Sequence, residues 1–312
     1  MRRGNVIAGR ILQLVPTLFI AIVVLFVLVR TLPGGPGLAA LGDRATDEAT
    51  ARIEAAYGTD QTLISQFCMF VGQLAHGDLG VSYALKVPVL QLVAERLPVT
   101  LMLSLMGAFL AMLIAVPLSL LAALRRDQFA DLVLRGLFQV GLSMPTFYIG
   151  IIMLTFVAAQ LRWFPVGGFG KGLVDNLYHL FLPALALSYN FAAVLFRNLR
   201  SSIIQVMSSD FVIFATARGL PRFVVLYHHV LRNALISTVT LFGLNIGTLI
   251  GGAVVTETVF AIPGVGRLMI DSIFARDYPV IQGLMLVLTL VVSLVFLMTD
   301  IIQGMLDPRI EK

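Results

Sequence analysis

A single cysteine stands in 312 residues, so Cys68 has no partner for an internal disulfide, and no thiolate metal cluster can form. Within Phe67-Cys68-Met69-Phe70 it reads as a small buried apolar residue. Charge is scarce too: Asp, Glu, Lys and Arg make up 12% of the chain, about half the share of a soluble domain. The long apolar runs lack paired carboxylates and the series of ionisable groups that a proton-coupled carrier uses. None of the four histidines, His76, His179, His228 and His229, sits mid-run with a second at ligand spacing, which argues against a haem or metal electron carrier. No Gly-x-Ser-x-Gly elbow and no His-Glu-x-x-His is present. Gly170-Lys171-Gly172 is not a phosphate loop, lacking the leading glycine at the right offset and a Ser or Thr after the lysine. If the protein uses ATP, another chain hydrolyses it.

What the chain has is apolar length. It is 58% hydrophobic, with a mean hydropathy of +0.94. A membrane span needs about 20 residues. Six runs qualify: 11–29, 98–124, 133–161, 180–196, 236–260 and 280–305. The predicted fold class is all-α, a polytopic membrane protein with six transmembrane helices. Pro117 and Pro145 lie inside spans and should kink them.

The net charge of +5 does not point to nucleic acid, because the basic residues are distributed by membrane side rather than gathered in one patch. Arg2, Arg3 and Arg10 precede the first run; Arg125, Arg126 and Arg135 flank the second turn; Arg197, Arg200, Arg218, Arg222 and Arg232 surround the loop before the fifth. The other connections hold most of the acids, among them Asp43, Asp47, Glu48, Glu54, Asp60, Asp78 and Glu95. The positive-inside rule then places both termini in the cytosol. The organisation expected is an N-terminus and first span over 1–31, an extracytoplasmic helical cap over 32–97, and a five-helix core over 98–312. In the cap, Pro33-Gly34-Gly35-Pro36-Gly37 breaks the chain, 47–57 and 61–74 read as helices, and 87–97 as a third, interfacial piece.

Residues 210–234 cannot cross a bilayer, since each of Arg218, Arg222 and Arg232 costs roughly 2.5–3.5 kcal/mol to insert. Gly219-Leu220-Pro221 interrupts the stretch: Gly can cap a helix at positive φ, and Pro cannot continue one. Two short helices with a sharp turn are expected. The first carries Phe211, Ile213, Phe214, Ala215 and Ala217, more apolar surface than a solvated loop needs. These residues leave two readings open, a helix lying on lipid or a docking helix for another protein.

The fifth span carries Gly243, Gly247 and Gly251, a spacing that lets another helix approach closely, by default within this chain. Glu257 near its end is expensive in hydrocarbon. It reads as an acidic group at the mouth of a pathway or as an acceptor for N–H groups of the following turn. With Asn245 and Ser143 it completes the candidate pathway residues.

The chain resembles the permease subunits of bacterial ABC importers for dipeptides, oligopeptides or nickel. The match includes Arg10-Ile-Leu-Gln-Leu-Val-Pro-Thr17, Gly77-Asp-Leu-Gly80, Glu95-Arg-Leu-Pro-Val-Thr-Leu101 and Gly141-Leu-Ser-Met-Pro-Thr-Phe147. It continues through Asp210-Phe-Val-Ile-Phe-Ala-Thr-Ala-Arg-Gly219, Leu231-Arg-Asn-Ala-Leu235, Glu257-Thr-Val-Phe260, Pro263-Gly-Val-Gly-Arg267, Ala275-Arg-Asp-Tyr-Pro279 and Asp307-Pro-Arg309. The resemblance implies an inner-membrane permease fold with a cytosolic coupling helix, in an EAA-type loop at about residues 203–234. By that resemblance Phe211, Phe214, Ala215, Ala217, Arg218, Gly219 and Arg222 would meet an ATPase. Thr216 within the motif, the absence of Glu and the presence of Pro221 depart from the family's pattern. The implied partners are a second homologous permease, two cytosolic ATPases that hold ATP and Mg, an extracytoplasmic substrate-binding protein, and membrane lipid. No cofactor is implied in this chain, and no catalytic residue or metal ligand. Peptide cargo is the first expectation; nickel, haem or glutathione are the alternatives within the family. A stand-alone secondary transporter or channel, or a membrane anchor for an enzyme complex, are the readings outside it.

Overall fold

The computed structural model describes residues 2–31, 46 and 61–306. The expected chain break at 33–37, the helix at 47–57 and the terminal Asp307-Pro308-Arg309 lie outside them. So do the acids Asp43, Asp47, Glu48, Glu54 and Asp60, and the side chains of Arg2, Arg3 and Arg10. Among the described residues the structure is helices joined by turns and loops, with one isolated β-bridge, between Val81 and Pro88. The chain divides into two compact units, Met1–Val99 with Pro263–Leu294, and Thr100–Ile262 with Val295–Lys312.

In the first unit, α1 (Arg2–Thr31) meets α2 (Leu63–Ala75) through Phe26, whose ring lies 5.1 Å from that of Phe67 and 6.0 Å from that of Phe70. Thr62 caps α2, its hydroxyl oxygen accepting the Ser65 N–H. The next helix, α3 (Val89–Leu124), starts earlier than its sequence suggests. Residues 87–97 are not a separate interfacial piece: from Val89 on they are the first turns of α3, which runs straight through Pro98. Packing overrides the proline. Val89, Leu92 and Val93 are buried with Val265 and Leu268 of α10 (Val265–Phe274) and with Val280 and Leu284 of α11 (Tyr278–Leu306). Asp277 ties down the loop before α3. Its buried carboxylate accepts the Ser82 hydroxyl and the N–H groups of Tyr83 and Ala84.

The second unit holds α4 (Phe129–Ser143), α5 (Thr146–Met153, continued by a π-turn Leu154–Gln160) and α6 (Leu173–Met207). It also holds α7 (Asp210–Ala217), α8 (Arg222–Val224, continued by a π-turn Val225–Leu231) and α9 (Arg232–Val259). The expected kink at Pro145 is a full break, with α4 and the α5 stretch meeting at 107°. Pro145 lacks an N–H and drives Met144 into extended backbone at φ −91°, ψ 130°. The stretch Arg222–Val259 bends by 49° between Gly243 and Asn245.

Three described helices are long and apolar enough to cross a membrane, Val89–Leu124, Leu173–Met207 and Tyr278–Ile301; the two bent pairs make five. With the shorter apolar stretch Leu12–Leu28 they fit the six expected spans.

The three glycines of α9 do not act alike. A Cβ on Gly243 would overlap the side chain of Thr299 of α11, so the α9 backbone meets that side chain directly. Gly247 is half-buried, and nothing lies within 4 Å of where the Cβ of Gly251 would point. The bend beside Gly243 breaks the straight stripe that the spacing implied. Gly243→Ala is expected to push α9 and α11 apart at a loss of about 1–3 kcal/mol. A lower melting temperature of the purified protein checks it; an unchanged one contradicts the close approach.

Candidate functional site

The short helix α7 is apolar on both faces. Val212 and Ala215 point inward and are buried with Leu199 and Ile203 of α6, Ala123 of α3, Val225 and Val230 of the π-turn, and Ala234 of α9. The opposite face is open: Phe211 is 47%, Ile213 57% and Phe214 68% exposed. A short helix standing free would be marginal in water. This one is held by its seat.

Its ends are sealed locally. Asp210 lies in the first turn, where a negative charge suits the helix dipole. At the other end Gly219 takes φ +78°. Its N–H reaches the Thr216 carbonyl at 3.0 Å, and the Leu220 N–H reaches the Ala215 carbonyl at 3.4 Å. That is the Schellman arrangement expected of a glycine after a helix. Pro221 then sets extended backbone, and Arg222 opens the next helix. The two-helix turn is therefore as the sequence implied.

The expected docking residues separate on inspection. Phe211, Phe214, Ala217, Arg218, Gly219 and Arg222 are exposed. Ala215 is not: three residues on from Val212, it shares the buried face and packs inside this chain. Phe223 was not singled out by sequence, yet it is 68% exposed, with its ring 4.3 Å from that of Tyr227. The signal for it was its place after Pro221-Arg222, where an apolar side chain borders the turn.

The candidate pathway residues have separate surroundings. Glu257 is fully buried, and its carboxylate accepts the hydroxyl of Thr100 at 2.5 Å. In the turn after α9 the Ile262 N–H also reaches the Glu257 backbone carbonyl at 2.8 Å. Asn245 donates its amide to the Leu241 carbonyl at 2.9 Å. Ser143 is exposed at the end of α4 and donates its hydroxyl to the Gln139 carbonyl at 3.1 Å.

One buried ion pair was missed. Asp131 on α4 and Arg200 on α6 meet with Nε and Nη2 each 2.6 Å from a carboxylate oxygen. Residues 69 positions apart leave no local pattern. The available sign was an acid in the first turn of an apolar helix. No group of three or more His, Cys, Asp or Glu side chains that could hold a metal occurs among the described residues.

Comparison with known proteins adds the following. The family described as "Binding-protein-dependent transport system inner membrane component" matches residues 115–312, and its N-terminal counterpart matches residues 5–104. A probable peptide ABC transporter permease of Sinorhizobium fredii is 36% identical over 98% of this chain and 99% of its own. The oligopeptide transport system permease AppB of Bacillus subtilis and the glutathione transport system permease GsiC of Escherichia coli are each 35% identical, over 98% of both chains. Among solved structures, the inward-facing methionine ABC transporter MetNI has a chain that superposes with a TM-score of 0.59 at 17% identity, over 70% of this chain and 97% of its own.

Proposed function

The chain belongs to the binding-protein-dependent transport inner-membrane components, as an ABC importer permease of the peptide family, and from that premise we propose that it forms half of a pathway for dipeptides or oligopeptides and is driven through α7. The observation that carries the proposal is the double-faced helix. Val212 and Ala215 root it in α3, α6 and α9, while Phe211, Ile213 and Phe214 stay open for a partner. Lipid would want one apolar face and a charged opposite face. Here the opposite face is the protein's own core.

In this reading two cytosolic ATPases bind ATP and Mg, and their closure pushes α7 as a rigid body. The helices rooted around it rock between inward-open and outward-open states. A second permease chain completes the pathway, and an extracytoplasmic binding protein delivers the cargo. Arg125, Arg126, Arg197, Arg218 and Arg222 support a cytosolic position for α7 and both termini. Bonds are made and broken on the ATPases; this chain binds, guides and moves. Glutathione is the second cargo reading, favoured by the equal likeness to AppB and GsiC.

The test is co-purification of an ATPase with the tagged permease, followed by ATP-dependent uptake of labelled tri-alanine and glutathione into vesicles. Uptake of tri-alanine supports the peptide reading, and uptake of glutathione alone moves the chain to the second. Uptake without nucleotide would overturn the importer reading. Gly219→Arg adds a finer check. The site has room for a side chain but not the right backbone: a non-glycine residue at φ +78° costs about 1–2 kcal/mol. The variant is expected to reach the membrane in normal amount, retain less ATPase and transport less. Unchanged retention and uptake would count against the docking model.

A further inference from the structure

We infer that the Asp131–Arg200 pair is a positioning strap that makes α4 follow α6, and through α6 the movement of α7. The inference rests on the coupling reading above and extends it to a named pair. Asp131 is fully buried, and the Arg200 side chain is 15% exposed. Its carboxylate also accepts the Asp127 N–H at 3.0 Å, and the Arg135 guanidinium lies 3.6 Å away.

Stability alone is a poor reason for such a pair. Two charges taken out of water are often matched or bettered by apolar side chains of similar volume. What the pair provides is geometry: two parallel N–H···O bonds fix both the separation and the rotation of the helices that carry them. The neighbouring contacts between α4 and α6 are single neutral hydrogen bonds, from the Tyr189 hydroxyl to the Leu137 carbonyl at 3.0 Å and from the Asn190 amide to the Gly141 carbonyl at 3.5 Å, together with ring contacts. Phe138 stacks on Phe196 at 4.2 Å and on Tyr189 at 6.3 Å, contacts with less directional demand.

Position gives the strap its role. Arg200 lies between Leu199 and Ile203, two of the α6 residues packed with Val212 and Ala215 of α7. The helix that seats α7 therefore also grips α4. At its far end α4 stops at the 107° break before Pro145, a joint where movement can be taken up. A push on α7 passes to α6 by packing, to α4 by the ion pair, and to the joint.

The experiment uses the full complex reconstituted in vesicles, measuring ATP hydrolysed and tri-alanine or glutathione taken up in the same sample. The ratio is the readout, because a folding defect lowers both quantities together. The double swap Asp131→Leu with Arg200→Met keeps the volume and removes the fork. Expected are normal assembly, hydrolysis within about two-fold of wild type and uptake per ATP reduced at least about five-fold. Arg200→Lys keeps the charge without the planar fork and is expected to fall between. A wild-type ratio in the double swap, or in Arg200→Lys, overturns the strap while leaving the importer reading intact. A wild-type complex that hydrolyses no ATP and takes up neither probe removes both.

Discussion

Phe214→Asp is expected to strip the ATPase from the purified permease and to stop uptake, with the permease still present in the membrane. Phe214 is the most exposed of the three aromatic and aliphatic residues on the open face of α7. Its ring is outside the buried cluster, so the substitution leaves the seat of the helix in place. At an interface it has the character of an anchor. Aromatic anchors contribute about 2–4 kcal/mol, which corresponds to roughly 30-fold to 1,000-fold in affinity. Aspartate removes that contact and adds a charge that docking must desolvate. Val212→Asp is the instructive contrast. It places the charge in the buried cluster, and the amount of folded protein falls before docking is tested. Retention of the ATPase by Phe214→Asp at wild-type level would show that this face is not the contact.

Asp131→Leu as a single change is expected to have the largest effect on stability. It leaves the Arg200 guanidinium in a mostly buried site without its carboxylate. Removing one partner of a buried pair typically costs about 3–5 kcal/mol. Native proteins are stable by only about 5–15 kcal/mol, so the variant loses a large share of its margin. Thermal unfolding of the detergent-purified protein reads this directly. Adding Arg200→Met to the same chain restores most of the lost stability, because no buried charge is left unpaired and the half-exposed Arg135 reaches water. A single variant as stable as wild type would mean that Arg200 finds water or another acceptor.

The stretch around α7 was legible because its signals are local. Three arginines forbid insertion, Gly219 marks a cap, and Pro221 marks a start. The capping hydrogen bonds at Thr216 and Ala215 follow from that spelling alone. The inward turn of Ala215 was less legible. When both faces of a helix are apolar, composition does not say which one is buried. The start of α3 was misplaced for a related reason. Pro98 reads as a boundary, yet the contacts of Val89, Leu92 and Val93 with α10 and α11 carry the helix through it. Pro145 was recognised as a disturbance, but the 107° angle depends on what α4 and α5 each pack against. The pairs Asp131–Arg200 and Thr100–Glu257 join residues far apart in the chain, and no periodicity encodes such meetings.

The most direct measurement is a cross-link from the open face of α7. Cys68, which lies exposed on α2 rather than buried as its apolar neighbours imply, is replaced by serine, and a single cysteine is placed at position 214 or, as a control, at the buried position 212. The active complex is treated with a photoactivatable thiol reagent. A product joining position 214 to the ATPase subunit is expected, with no such product from position 212. Attachment of position 214 to lipid alone, or its labelling by a membrane-impermeant reagent added outside intact cells, would contradict it.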